Sequence, residues 1–336
     1  MQKFTISVLC FSLGLFFVLI SGAGEARGGD AAVQANRISL IVATNPGGSY
    51  DQYGILMAKS LEQKLKTKVE VKYVTGAGMI NGANAIYNAP PDGLTLGTFN
   101  IGLIIAQLRE EKDVRFDLTK FTWIGNAAAM PRFLSLRTAL PYKNFAELRK
   151  AEQTIKIPSS GVGSSAHNDV LMIKKILGLN IDVVPGYGGA ETDKAIKSGE
   201  MDGRMGSSSS LIPFFQKGQL RPVLIVADQR DHAYPDVPTL AEIAPREMQP
   251  LVKLMVAMSE IARPFAAPPG LPEAIRKPLQ QAFADSFSDP AVKEAARKGK
   301  MPLQYYDSSQ VGKLIAAALK QPPEVISFLK AMVFAE

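Results

Sequence analysis

Hydrophobic and polar positions alternate in two successive rounds along the chain. Apolar, β-rich runs at 38–43, 69–74, 94–99 and 121–124 are separated by stretches with helical spacing, the pattern of a parallel sheet covered by helices. The first helix places Gly54, Met57, Ala58, Leu61 and Leu65 on one face, the stripe that packs on a sheet. After Asn144 the alternation restarts, predicting helix 144–150, strand 154–158, helix 166–178, strand 181–185, helix 189–198 and a strand within 221–227. Ala166, Val170, Ile173 and Leu177 line one side of the second helix of this round, and Gly178 supplies its stop,. The expected fold class is therefore α/β in two units.

From 264 to 272 the chain is rich in proline and alanine, shows neither period, and reads as a connector. Helices are expected near 273–287, 290–298 and 308–320, the last presenting Val311, Leu314, Ile315 and Ala318 as a core stripe,. With no strand among them, they buttress a domain rather than build a third.

The N-terminus changes where the protein is expected to work. Lys3, an apolar stretch from Val8 to Ile20, and small residues through Ala26 follow the order of a secretory signal over residues 1–26, with cleavage after Ala23 or Ala26,. No later run is long enough to span a bilayer. The only cysteine, Cys10, lies inside the signal, so the mature chain carries no disulfide framework,. Roughly 310 mature residues suffice for two domains with substantial cores. The net charge of +7 is scattered without interleaved aromatics, which argues for a solvated surface and against nucleic acid as a partner.

Candidate chemistry concentrates in two turns that precede helices, one in each round. In the first, Gly47 and Gly48 permit close backbone approach, Ser49 or Asp51 can cap the following helix, and Asp51 is expected to order the loop rather than bind ligand directly,. The second, Ser159 to Ser165, sets four serine hydroxyls around Gly161 and Gly163. Unpaired N–H groups at a helix N-terminus attract anions, so the two turns read as opposed clamps on one small carboxylate. Gly76-Ala77-Gly78 resembles a dinucleotide fingerprint, but its last glycine, Gly82, comes one residue late and no acidic residue follows at the ribose position, so it reads as a third cleft-side turn,. Two distant histidines supply no metal set, no phosphate loop occurs, and no cofactor is expected,. His167 beside Ser164 and Ser165 leaves a serine hydrolase as the alternative from another class, although neither an elbow motif nor a third triad member is recognisable.

These segments together resemble the periplasmic substrate-binding proteins of tripartite tricarboxylate transporters, the Bug or TctC family. Asn45 to Asp51 is similar to the family's first ligand loop, and Gly76-Ala77-Gly78 with 89–96 to its Gly-Ala-Gly and Pro-Asp-Gly segment. The turn with Ser160, Gly163, Ser164, Ser165 and His167 resembles the domain-two loop, Val184 to Ala190 a further loop there, and Pro235-Asp236-Val237-Pro238-Thr239 a specific family segment. The resemblance implies a Venus-flytrap fold with domain 1 at 27–134 and 254–336 and domain 2 at 135–253. It also implies a monomer in the periplasm that binds a small organic acid and delivers it to membrane permease subunits; a ligand-sensing module for a receptor remains a further alternative. Gly186, Tyr187, Ser208 and Ala77 join Asn45, Gly47, Gly48, Ser49, Asp51 and the domain-two serines and His167 as expected ligand contacts. The chain departs from the family at Gln52-Tyr53-Gly54-Ile55, where Ala-Arg is common, and at Tyr50 and Gly186. With no arginine or lysine in either turn, a mono- or dicarboxylate is expected over a more highly charged ligand, unless Arg204 or a lysine reaches the cleft.

Overall fold

The computed structural model describes residues 37–332 apart from Gly163 and Gly188; the expected signal, residues 1–26, lies outside them. The first round of alternation forms β1 (Ile38–Val42), α1 (Ser49–Leu65), β2 (Val69–Tyr73), α2 (Ile80–Tyr87), β3 (Thr95–Thr98), α3 (Leu103–Leu108) and β4 (Thr122–Asn126). β1 pairs in parallel with β2 and β3, each return being made through a helix as parallel pairing requires. On α1 the predicted stripe is buried from Gly54 through Leu61, and a Cβ on Gly54 would stand 2.6 Å from Val42 Cγ2.

The second round forms β5 (Arg132–Arg137), α4 (Phe145–Leu148), β6 (Ile155–Pro158), α5 (Ser165–Leu177), β7 (Ile181–Val184), α6 (Gly189–Ser198), β8 (Gly203–Ser207), α7 (Ser208–Gln216) and β9 (Leu220–Val226). β5 lies antiparallel between β8 and β9, and β6 pairs in parallel with β7. Asp202 joins the two pieces, its N–H donating to the Lys156 carbonyl at 2.9 Å and its carboxylate accepting from the Lys156 N–H at 2.9 Å. The periodicity foresees β6, β7 and β9 but not β5 or β8. In β8 the glycines serve close approach, since a Cβ on Gly203 would meet the Ser135 carbonyl oxygen at 2.2 Å.

The remaining elements are α8 (Leu240–Ile243), α9 (Gln249–Glu260), β10 (Pro264–Ala267), α10 (Glu273–Ser286), α11 (Pro290–Lys298), α12 (Ser308–Leu319) and α13 (Pro323–Ala331). Here the reading of 264–272 as a connector is corrected. Its first four residues are β10, wholly buried and threaded antiparallel between β3 and β4, which gives the sheet order β2-β1-β3-β10-β4. A strand covered on both faces shows no alternation. Pro264, which lacks an N–H, is tolerated as its first residue.

The C-terminal helices cover this first sheet. Phe265 of β10 meets Phe283 of α10 with ring centroids 5.0 Å apart, and Ser60 of α1 bonds Ser286 of α10 at 2.8 Å. The Tyr53 hydroxyl, also on α1, donates to the Pro302 carbonyl. On the opposite face, α2 comes so close to β1 that a Cβ on Gly82 would lie 2.4 Å from Ala43 Cβ and 2.8 Å from the Val74 carbonyl oxygen.

Two outcomes follow from this packing. Gly82→Ala should lower stability by about 1–3 kcal/mol in a denaturant titration, because backbone rather than a pliable side chain must yield. Burial raises the Tyr53 phenol to about 12, against an opposing pull from Arg263. Its stabilising share should be complete below the unfolded value near 10 and vanish as pH rises through about 12,. Alkaline unfolding followed alongside tyrosinate absorbance should show this loss, and Tyr53→Phe should flatten it.

Candidate ligand cleft

Two segments connect the sheets, and they run side by side. The Met130 N–H donates to the Ser259 carbonyl at 2.8 Å, Ala262 to Ala128 at 3.0 Å and Ala127 to Arg263 at 2.8 Å. Asn126 laces them together from a fully buried position. Its Nδ2 donates to the carbonyls of Ala128 (2.9 Å) and Glu260 (3.1 Å), and its Oδ1 accepts from the Arg263 N–H at 2.9 Å. Each crossing segment ends in an arginine at the mouth of a strand, Arg132 as the first residue of β5 and Arg263 just before β10.

Both arginines face a cavity of about 510 Å³. Arg263 is only 9% exposed, its guanidinium lying 4.1 Å from the Tyr50 ring centroid and 5.4 Å from that of Tyr53. Its Nη2 donates to Ser49 Oγ and its Nη1 to the Ala262 carbonyl, while Nε is buried without a hydrogen-bond partner. Among the described residues no carboxylate pairs with it. Arg132, in contrast, donates through Nε to Asp169 on the first turns of α5. Burial pushes the Asp169 carboxyl up while the Arg132 guanidinium pulls it down. The Tyr50 phenol is likewise raised by burial and opposed by both arginines.

The walls come from both sheet systems. Ala77, Gly78, Asn100 and Gly102 stand on the side of the first sheet, and Val162, Ser165, Asn168 and Ser207 on the side of the second. The Ala77–Gly78 turn is strained: Ala77 (φ 45°) and Met79 (φ 82°) both adopt the left-handed region around Gly76 and Gly78, a cost of roughly 1–3 kcal/mol per side-chain-bearing residue. Leu103, Ile105, Ala106, Met130 and Met258 give the cavity an apolar stretch, which runs to Arg109 and its partner Glu111, 3.3 Å apart. No group of histidine, cysteine and carboxylate side chains suited to a metal occurs among the described residues.

Of the residues expected to touch ligand, Ala77 and Ser165 line the cavity. Asn45, Gly47 and Gly48 are exposed in the loop ahead of α1, and Ser49 supports Arg263. Asp51 orders that loop, accepting from the Gly47 N–H and the Tyr73 hydroxyl at 2.7 Å each. Ser164 caps α5, its hydroxyl accepting from the N–H of the buried His167 at 3.4 Å; Ser160 is exposed nearby, and Gly163 is outside the described residues. Gly186 is exposed, the Tyr187 hydroxyl donates to Glu200, and Ser208 opens α7 with its N–H on the Pro131 carbonyl, leaving Ser207 as the lining residue. Arg204 pairs with Asp193 at 2.7 Å.

Sequence reasoning passed over Tyr50, Asn100, Arg132, Asn168, Asp169 and Arg263. The arginines did carry a signal, since each is a single charge within an apolar run, in 127–136 and 261–267. A lone charge between buried positions must find a partner or a cavity.

Comparison with known proteins accords with this geometry. A family model described as the tripartite tricarboxylate transporter family receptor, TctC, matches residues 55–330. A UPF0065 protein of Bordetella pertussis is 28% identical over 263 residues, spanning 76% of this chain and 78% of that protein. A TctC solute binding protein from Polaromonas superposes with a TM-score of 0.72 at 20% identity, covering 88% of this chain and 97% of that one. MatC from Rhodopseudomonas palustris, with bound malate, gives 0.60 at 22% identity over 88% and 99% of the two chains. Rpa4515 of the same organism, with adipate, gives 0.64 at 21% over 89% and 99%. The fold is the two-lobed one of periplasmic binding proteins, with the cleft between the lobes. The family comprises solute receptors and not enzymes, which removes the serine hydrolase alternative, and Ser164 is accordingly a helix cap. The chain belongs to the receptor family of the tripartite tricarboxylate transporters.

Proposed function

We propose that this protein is an exported receptor which captures a small organic carboxylate in the cleft and passes it, as a monomer in the periplasm, to the membrane subunits of a tripartite transporter. The observation that carries the reading is Arg263, a buried guanidinium facing the cavity with no carboxylate partner among the described residues. Burying such a charge is costly until an anion joins it. A carboxylate there would also find the Ser165 hydroxyl and the amides of Asn100 and Asn168 within the same walls. The malate and adipate held by two structural relatives are acids of this kind, and no helix among the described residues is long and apolar enough to cross a membrane.

In this reading domain 1 comprises 27–134 with 254–336 and domain 2 comprises 135–253, so the paired crossing segments form the hinge. A ligand that touches both lobes binds the closed form better and shifts the population toward it. The serine-rich turn contributes Ser165 directly. The first glycine turn acts through Ser49 and Tyr50, which hold Arg263.

Titration calorimetry and thermal-shift assays with an organic-acid panel test this. At a ligand concentration of about 100 Kd the wild type should gain about 2.7 kcal/mol of stability. Arg263→Gln should cost about 2–5 kcal/mol of binding, while leaving the unliganded protein as stable as before or more so, since a lone buried charge is removed. A folded variant with unchanged affinity would count against the assignment.

A further inference from the structure

The charges lining the cleft specify more than anion binding. Among the described residues, three arginines and two carboxylates line the cavity. Arg132 is neutralised by Asp169 and Arg109 by Glu111. Arg263 alone has no carboxylate partner and is held by hydroxyl, carbonyl and ring contacts that carry no formal charge, whereas Arg109, although its Nη2 is buried without a hydrogen bond, has its charge matched by Glu111. No lysine or histidine is among the lining residues.

We infer that Asp169 sets the charge this cleft accepts: by pairing Arg132 it leaves one unmatched cation, so the preferred ligand is a monocarboxylate with an apolar body. The inference rests on the receptor reading above and names its substrate class. One carboxylate satisfies Arg263. A second would have to occupy the apolar stretch of Leu103, Ile105, Met130 and Met258, or approach Arg132 or Arg109 beside a carboxylate already paired there. The first position strips a charge of water with no partner, and the second sets like charges against each other in a partly dry cleft. The apolar residues instead suit the hydrocarbon part of a singly charged acid.

Asp169 is well placed for this role. Its side chain is 6% exposed, it belongs to α5 in the second sheet system, and its partner Arg132 begins β5 at the crossing segment. The pair thus holds an arginine at the cleft floor with its charge already spent. Asp169→Asn would leave the guanidinium in place with its charge restored.

Matched pairs of acids test the inference, hexanoate against adipate and benzoate against terephthalate, titrated calorimetrically into protein freed of ligand. The wild type should bind the monocarboxylate of each pair at least about tenfold more tightly, a difference of about 1.4 kcal/mol. Asp169→Asn should narrow or invert the ratio by a further factor of about ten, and adding Arg132→Gln to that variant, which restores the charge balance, should return the order to that of the wild type. The inference is overturned if the wild type prefers the dicarboxylates, or if folded Asp169→Asn leaves the ratio where it was. Should Asp169→Asn not fold, the wild-type ratio decides alone. Binding of neither acid in any pair would overturn the receptor reading itself, an outcome distinct from a reversed preference.

Discussion

The cleft depends on one buried amide. Asn126 is the last residue of β4, and its side chain satisfies two carbonyls and one N–H drawn from the two strands of chain that cross between the sheets. The bonds to Ala128 and Arg263 are buried and that to Glu260 partly so, and a buried polar group left unmatched costs about 1–3 kcal/mol. An aliphatic residue of similar size would strand the Glu260 carbonyl and the Arg263 N–H together and leave the Ala128 carbonyl with only the Ala262 N–H. Because the amide oxygen holds the N–H of Arg263, the group that pins the crossing segments also places the cation at the floor of the cavity. In the proposed function, rotation of one sheet system against the other would act on this clasp, and the anion site and the pivot would be a single piece of structure.

Arg263 shows what the unoccupied site can and cannot satisfy internally. Two tyrosine faces, a serine hydroxyl and a carbonyl oxygen surround the guanidinium. A cation over an aromatic face gains about 0.5–2 kcal/mol, which falls well short of the several kcal/mol needed to remove an ion from water. In the proposed function this shortfall is what favours an incoming anion. The first glycine turn is ordered from within: the Gly47 N–H is taken by Asp51, and Tyr73 fixes the other oxygen of that carboxylate. The ordered turn presents Tyr50 and Ser49 to Arg263, the residue that meets the ligand in the proposed function.

Most of the fold was legible because its signals are local. The stripe on α1, the Gly178 stop after α5 and the restart after Asn144 each depend on residues within one element and its cap. β10 was not legible, because a strand of proline, phenylalanine and alanine buried on both faces has the composition of a linker and owes its pairing to β3 and β4, far away in the chain. β8 was hidden for a related reason, as the glycine that permits contact with the Ser135 carbonyl also weakens the strand pattern. The site divides along the same line. Ser165 and Ala77 sit in or beside turns that announce themselves, whereas Arg132 and Arg263 reach one cavity only through the pairing of the crossing segments, and their signal, one charge inside an apolar run, says that a partner is needed without saying where.

In the proposed function, family membership and ligand identity reside on different residues. The motifs that carry the resemblance are glycine and proline turns whose work is geometric: they start helices, permit left-handed dihedrals and bring backbones together. The charges in the cavity are Arg109, Glu111, Arg132, Asp169 and Arg263, and none of them lies within those motifs. Tyr50, where the chain departs from its family, and Tyr53, within a second departing segment, are the two rings that flank Arg263. A substitution among the cavity charges or at Tyr50 alters the charge or shape of the cleft while leaving the glycine and proline turns in place. Proteins that share this architecture at about one-fifth identity can for that reason hold different acids, and the charge balance inside the cavity is a more direct guide to the ligand than the sequence motifs around it.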